Sequence, residues 1–374
     1  MNYTILRVWG IPIRLNISLL VFLPVLAWLI GSGEQLAAYA TIITTITPAT
    51  ADATALAGTD RWVIGMAAAV GLFASVTLHE LGHSWVAMRY DIEVESITLW
   101  ILGGLASLSE MPREWNREFW IAIAGPVTSL LVGGACIGIL AVIPASATVV
   151  VFAVGFLAVI NVMLAAFNLV PAFPMDGGRI LRALLARDRS YVRATKIATR
   201  AGTAFAIVFV FLGVVSFSPI LILVALFIYF VGNSESRTVV LGELLSGLSA
   251  VDLVVETETV PMKATVDAVF ARLLQSRRTD LAVVDDTGTV VGAVTASELR
   301  DVEPAAYETT TVGSIMTTDL PRVDADMSAF DALHQLQTSR TAVAFVHRDG
   351  TPIGLLSQAD FATVLEIRRD TASF

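Results

Sequence analysis

Residues 77–86 read TLHELGHSWV, which places two histidines and a glutamate inside an apolar run. His79 and His83 stand four apart, so on a helix both imidazoles project from one face and can hold one metal ion. Nitrogen donors in that arrangement suit zinc. Glu80, one residue on, is placed to take a proton from a water held at such an ion, the role of a general base. A chance H-E-x-x-H, with histidines that merely bind backbone carbonyls near a span end, is the competing reading. An unpaired glutamate in a bilayer is costly, so ionisable residues there mark function, which weighs against chance.

A catalytic zinc takes three protein ligands and keeps one position open. No third histidine occurs before His334, so the remaining ligand has to be a carboxylate. Asp176, in NLVPAFPMDGGR, is the strongest candidate. Pro171 and Pro174 forbid continuous helix there, and Gly177 and Gly178 permit the backbone to fold back beside the metal. The other role open to Asp176 is an N-cap for the helix that RILRALLA would form. Glu110, Glu114 and Glu118 are rival ligands with a weaker claim, since they read as surface residues of a polar loop.

The elements that must position these groups are membrane spans. The chain has 374 residues, of which 55% are hydrophobic and 15% charged, and its mean hydropathy is +0.74. Those values describe an integral membrane protein. Six spans are expected: 16–34, with Thr47 as its alternative end, then 62–89, 119–143, 149–170, 195–216 and 219–234. Pro219 parts the last two. Between the fourth and fifth lie Arg179, Arg182, Arg187, Arg189, Arg193, Lys196 and Arg200, a density of positive charge that marks a cytosolic loop. An even number of spans then puts both termini in the cytosol of a multi-pass cell-membrane protein, in agreement with Arg7 and Arg14 before the first span. No cleavable signal peptide is read at the start. His79 is ten residues from Arg89, roughly 15 Å of helix. The metal site would lie within the membrane near its inner face, with Asp176 on the same side.

HELGH in one span, with FNLVPAFPMDGG after a later one, resembles the site-2 protease family of intramembrane zinc metalloproteases, in particular its prokaryotic branch with C-terminal CBS domains. GGLASL after the second span and IAGP in the third extend the likeness over nearly the whole chain. The resemblance implies that His79, His83 and Asp176 bind the zinc, that Glu80 is the catalytic base, and that Asn168 steadies the substrate carbonyl or its oxyanion. A polar contact at a helix end is the plainer role for Asn168. The family cleaves transmembrane helices of other proteins. A helix shields its own peptide bonds, so the substrate must be unwound and held extended. ITLWILGGLASL (97–108) has two apolar arms around Gly103-Gly104, the pattern of a β-hairpin dipping into the protein. One arm could take the substrate by strand addition, or the segment could simply plug the site.

Beyond residue 235 the texture is that of a soluble domain, with 236–249 read as a linker. From Ala250 onward 19 Asp and Glu face 10 Lys and Arg, which accounts for the whole formal charge of −9. An acidic soluble part argues against nucleic acid as a partner. Residues 250–370 repeat with an offset of 62: Arg278, Gly288, Gly292, Thr295 and Glu298 fall on Arg340, Gly350, Gly354, Ser357 and Asp360. The two units, 250–305 and 306–370, resemble a CBS pair. That resemblance implies an adenine nucleotide held by Thr295, Glu298, Ser357 and Asp360, or else a module serving only dimerisation or spacing. Glu298 stands where the family has Asp, which puts the first ribose contact in doubt. His334 and His347 are too isolated to be ligands. Cys136 is the only cysteine and reads as a small buried hydrophobe, so disulfides within the chain are excluded.

The expected architecture is therefore a polytopic α-helical membrane protein, with a protease domain over 1–235 and an α/β CBS-pair domain. Its partners would be a transmembrane protein substrate, an adenine nucleotide, membrane lipid, and a second copy joined through the CBS domains. A CBS-gated transporter, a non-proteolytic scaffold of the same fold and a CAAX-type metalloprotease are the rival readings. A transporter would spread polar residues along several spans, and a CAAX-type enzyme would carry a further helical glutamate motif, which is not found. Nothing in the ligand set favours a scaffold.

Overall fold

In a computed structural model, residues 2–47, 60–101, 103–109, 112–254, 258–276, 280–339 and 341–371 are described. They divide into two units, Met1–Ser236 and Arg237–Phe374.

The first unit begins with a hairpin that the sequence reading did not anticipate, β1 (Asn2–Val8) and β2 (Ile11–Asn16), turning at Trp9 and Gly10, both with positive φ. Asn16 ends it and caps the next helix by accepting the Ser18 N–H at 2.9 Å. The expected first span is two helices, α1 (Ile17–Ile30) and α2 (Gly33–Ile46), each of 14 residues. Gly31 and Ser32 separate them. Gly31 fits where it does because a side chain there would strike the Arg61 carbonyl, 2.8 Å from where its Cβ would lie.

Five longer helices follow among the described residues, each long and apolar enough to cross a membrane. They are α3 (Asp60–Arg89), α4 (Trp115–Leu140), α5 (Thr148–Asn168), α7 (Tyr191–Val215) and α8 (Pro219–Leu244), with the short α6 (Asp176–Ala186) between α5 and α7. Helix α1 runs closely against α3: a Cβ at Gly65 would lie 2.2 Å from the Ala27 carbonyl oxygen. Helix α2 packs on α5, with the Tyr39 and Phe156 rings edge to face at 4.9 Å. The apolar segment after α3 forms the hairpin β3 (Val94–Trp100) and β4 (Gly103–Leu108). Strand β2 pairs with β3 in parallel, giving one sheet in the order β1-β2-β3-β4. Strand β4 is thus an edge. Helix α8 continues through most of the stretch expected to be a linker and stops at Leu244, just before Gly247 with φ +72. No proline interrupts it, and the helix continues through Thr238, Val239, Val240 and Gly242 although these are weak helix formers.

The second unit is built twice on one plan. The first copy holds α9 (Ala250–Leu253), β5 (Thr259–Pro261), α10 (Val266–Ser276), β6 (Asp280–Val284), β7 (Val290–Thr295) and α11 (Ala296–Arg300). The second holds α12 (Val312–Ile315), β8 (Arg322–Asp324), α13 (Ala329–Thr338), β9 (Val343–Arg348), β10 (Thr351–Ser357) and α14 (Gln358–Thr371). Each copy has a three-stranded sheet with one parallel and one antiparallel pairing. The matched glycines Gly288 and Gly350 turn the two hairpins with φ of +81 and +78. Ala282 and Ala293 of one copy share a core with Val343 and Leu355 of the other, so the copies bury apolar faces jointly.

Candidate active site and metal centre

Helix α3 carries His79, Glu80 and His83 in its last third. His79 and His83 are buried, and their Nε2 atoms lie 3.2 Å apart. The other ring nitrogens are held from α4: His79 Nδ1 lies 2.9 Å from Ser129 Oγ, and His83 Nδ1 2.7 Å from the Ile121 carbonyl oxygen. The carbonyl can only accept, so Nδ1 of His83 carries the proton and its Nε2 keeps a lone pair for a metal. Ile121 and Ser129 were not among the residues singled out from sequence. Ser129, eight residues after Ile121, lies on the same face of α4, a periodicity that offered a signal only once α4 was known to face α3.

The third group comes from the far side of the chain break. Helix α5 ends at Asn168, Pro171 and Pro174 lie in the irregular stretch before α6, and α6 starts at Asp176. Gly177 and Gly178 are required by close approach: a Cβ on Gly177 would meet the Val170 oxygen at 2.3 Å, and one on Gly178 the Ala172 carbonyl carbon at 2.7 Å. Met175 occupies the N-cap of α6, and Asp176 makes no capping bond. Its Oδ2 instead sits 3.1 Å from His79 Nε2 and 3.2 Å from His83 Nε2.

The three donor atoms therefore form a nearly equilateral triangle. A tetrahedral ion bound at about 2.0–2.1 Å holds its ligand atoms roughly 3.3–3.4 Å apart, so the triangle has the size of three corners of a zinc site, with the fourth open. Backbone shape agrees with this. Gly125 of α4 faces the triangle with bare Cα, and a Cβ there would lie 2.2 Å from His83 Nε2 and 2.7 Å from His79 Nε2. The residues present fit the ion.

Glu80 and Asn168 line a cavity of about 310 Å³ together with His79, Phe22, Phe73 and Gly104. Glu80 is half-buried and stays out of the donor triangle. Gly104 of β4 covers it so closely that a Cβ would be 2.6 Å from Glu80 Cγ. Asn168 reaches the cavity from the end of α5, and its Nδ2 donates to the Leu164 carbonyl at 2.9 Å.

The rival carboxylates are elsewhere. Glu110 lies outside the described residues. Glu114 is exposed and pairs with Arg117 at 2.6 Å. Glu118, expected at the surface, is only 4% exposed and is bound to Arg182, itself fully buried and not the surface loop charge it was counted as. Burial was unreadable there because the partner arrives from a distant helix.

The family model for peptidase family M50 matches residues 67–146 and 134–209, and the CBS domain model matches 250–304 and 312–367. A zinc metalloprotease of Methanocaldococcus jannaschii is 30% identical over 375 residues, covering 98% of this chain and 97% of its own length. The chain belongs to peptidase family M50. Also similar is Rip3 of Mycobacterium tuberculosis, named as a candidate zinc metalloprotease, at 32% identity over 82% of both chains. A solved site-2 protease from Methanocaldococcus jannaschii matches 63% of this chain and 96% of its own at 34% identity, with a TM-score of 0.43. This M50 chain is thus a zinc metalloendopeptidase of the membrane with a C-terminal CBS pair.

In the CBS pair of this M50 protein, the four residues expected to hold nucleotide are helix caps. Thr295 caps α11, and its N–H and hydroxyl both donate to Glu298 Oε2. The Thr317 hydroxyl takes Oε1 at 3.0 Å. Burial pushes the Glu298 carboxyl up, but these hydrogen bonds outweigh it and hold the group below the usual glutamate value. Ser357 repeats the arrangement, its N–H and hydroxyl each 2.8 Å from Asp360 Oδ2.

Proposed function

We propose that this protein is a multi-pass intramembrane endopeptidase that cleaves transmembrane segments of other proteins, with His79, His83 and Asp176 as zinc ligands and Glu80 as base. The observation that carries this is the donor triangle opening beside Glu80 into an apolar cavity lined by the three helices α1, α3 and α5 and by β4. Bound there, zinc supplies polarisation of the scissile carbonyl and an acidified water. Glu80 accepts the proton of the attacking water on its carboxylate and returns it to the leaving amine. The Asn168 amide, turned from Leu164, donates to the carbonyl oxygen as negative charge grows there. Phe22, Leu26, Phe73 and Val76 exclude bulk water from the cavity. Strand β4, an edge beside Glu80, offers backbone groups to an extended substrate and so supports strand addition rather than a plug.

We infer that both termini lie in the cytosol, with α1 making the first crossing; the pairing of β2 with β3 supports this for the N-terminal side. Strand β2, just before α1, pairs with β3, just after α3, so the chain starts on the side where α3 ends. Helix α1 then runs antiparallel to α3 until Gly31 meets Arg61, at the other end of α3. Arg61 stacks over Trp62 and Arg89 over Trp85, the aromatic and basic pairing of membrane interfaces at the two ends of one span.

The test is cleavage of single-span substrates by purified full-length protein in detergent. Cleavage should map inside the substrate span and cease on chelation, and Asp176→Ala should lose its zinc. Cleavage that survives chelation, or zinc retained at full stoichiometry by Asp176→Ala, contradicts the assignment.

The CBS pair is proposed to bind an adenine nucleotide that shifts the population of active enzyme. Binding is assigned to the second copy, through Ser357 and Asp360, because Asp360 is the residue that the CBS resemblance expects, whereas Glu298 stands where that family has Asp. Titration calorimetry of the full chain with AMP, ADP and ATP should give heat that Asp360→Ala abolishes and Glu298→Ala leaves in place. No heat from any of the three overturns the assignment.

A further inference from the structure

Helix α6 is short, yet it alone delivers Asp176 to a triangle whose other corners come from α3. The Arg182 side chain, six residues and therefore about 9 Å further along α6, is fully buried. Its Nε donates to Glu118 Oε1 at 2.7 Å, with Nη2 2.6 Å from the same oxygen, and its Nη1 donates to Glu235 Oε1 of α8 at 2.7 Å. The guanidinium lies 4.8 Å from the Phe173 ring centroid and 4.9 Å from that of Tyr191. Phe173 belongs to the stretch that leads into Asp176, and Tyr191 opens α7. One cation thus ties α6 to α4, α7, α8 and the approach to the ligand.

The Glu118 end of this link matters most. Glu118 stands in the first turn of α4, three residues before Ile121, whose carbonyl orients His83, and on the helix that carries Gly125 and Ser129. Helix α4 sets the two histidines, α6 carries the aspartate, and Arg182–Glu118 is the buried ion pair joining the two helices. Apolar side chains of similar volume stabilise such a place as well as charges do, whereas a directional ion pair fixes one register.

We propose that Arg182, through Glu118, is a positioning residue of the metal centre, fixing Asp176 at its distance from His79 and His83. This rests on the reading of Asp176 as a zinc ligand.

The test compares Arg182→Met, Arg182→Lys and Glu118→Gln with wild type and with Asp176→Ala, as full-length protein in detergent. The readouts are the zinc dissociation constant by chelator competition, the visible spectrum of the cobalt-loaded protein, and kcat and KM. Arg182→Met and Glu118→Gln should weaken zinc about 10–100-fold, the range for lost outer-shell support, change the cobalt spectrum, and lower kcat with KM within about twofold. Arg182→Lys keeps charge without the planar fork and should fall between. If Arg182→Met does not fold, Glu118→Gln, which preserves volume, decides. Wild-type zinc affinity and an unchanged cobalt spectrum in Glu118→Gln and Arg182→Lys overturn the proposal, whatever happens to thermal stability. Asp176→Ala separates the two ideas: if it loses zinc while the others do not, the ligand reading stands and the positioning role falls; if it keeps zinc, the ligand reading itself falls.

Discussion

Glu80→Gln is expected to bind zinc as wild type does and to lose cleavage by a factor of about 10²–10⁴, the contribution of a positioned acid–base group. The side chain is isosteric, so the contact beneath Gly104 and the shape of the cavity are kept. Glu80 takes no part in the donor triangle, so the amide costs the metal nothing. What the amide cannot do is accept a proton. The loss should therefore appear in kcat, with KM little changed, because substrate contacts with β4 and the apolar walls remain. Metal analysis beside cleavage of a single-span substrate checks both halves. Equal turnover by the two proteins removes Glu80 as the base, and lost zinc in the variant would make it a ligand.

The candidate site was legible because its residues sit in short, fixed spacings. His79 and His83 are neighbours on any helix, and only a carboxylate could complete the set. The break at Pro171 and Pro174 and the glycines after Asp176 are likewise local signals, each matched by a close backbone approach in the fold. The two matched hairpin glycines of the CBS copies belong to the same class.

What stayed illegible depends on partners far away in sequence. Glu118 stands in the first turn of α4, Arg182 within α6 and Glu235 within α8, one residue past the expected sixth span, so each alone reads as a charge outside the apolar runs. Only packing of α4, α6 and α8 brings them together, and burial inverts the meaning of Glu118 and Arg182. Hydropathy averaged over the first apolar run cannot see that Gly31 approaches Arg61, so the expected span 16–34, with its optional extension to Thr47, did not separate α1 from α2. The N-terminal hairpin was hidden because its pairing with β3 is non-local. Thr295 with Glu298 and Ser357 with Asp360 show the reverse case. Their spacing is that of a capping box as much as of a ligand site, and both pairs make the capping bonds.

Gly125→Ala tests where the ion sits. Gly125 is an interior residue of α4 immediately before Pro126, a position where a Cβ also crowds the proline ring. The added methyl would lie 2.2 Å from His83 Nε2 and 2.7 Å from His79 Nε2. Both rings must swing away, and to do so they must give up the contacts with Ile121 and Ser129 that aim them. The methyl also takes space on the α4 side of the triangle. Zinc affinity should fall at least about 100-fold, the upper range for lost outer-shell support alone, and cleavage should fall with it, while the metal-free protein also melts lower, because the displaced rings leave buried polar contacts unmade. Gly134→Ala is the control on the same helix: its Cβ would meet nothing within 4 Å, so zinc binding and cleavage should be unchanged. Wild-type zinc affinity in Gly125→Ala would count against an ion held by His79 and His83 in the positions seen here, where the methyl and the rings cannot coexist.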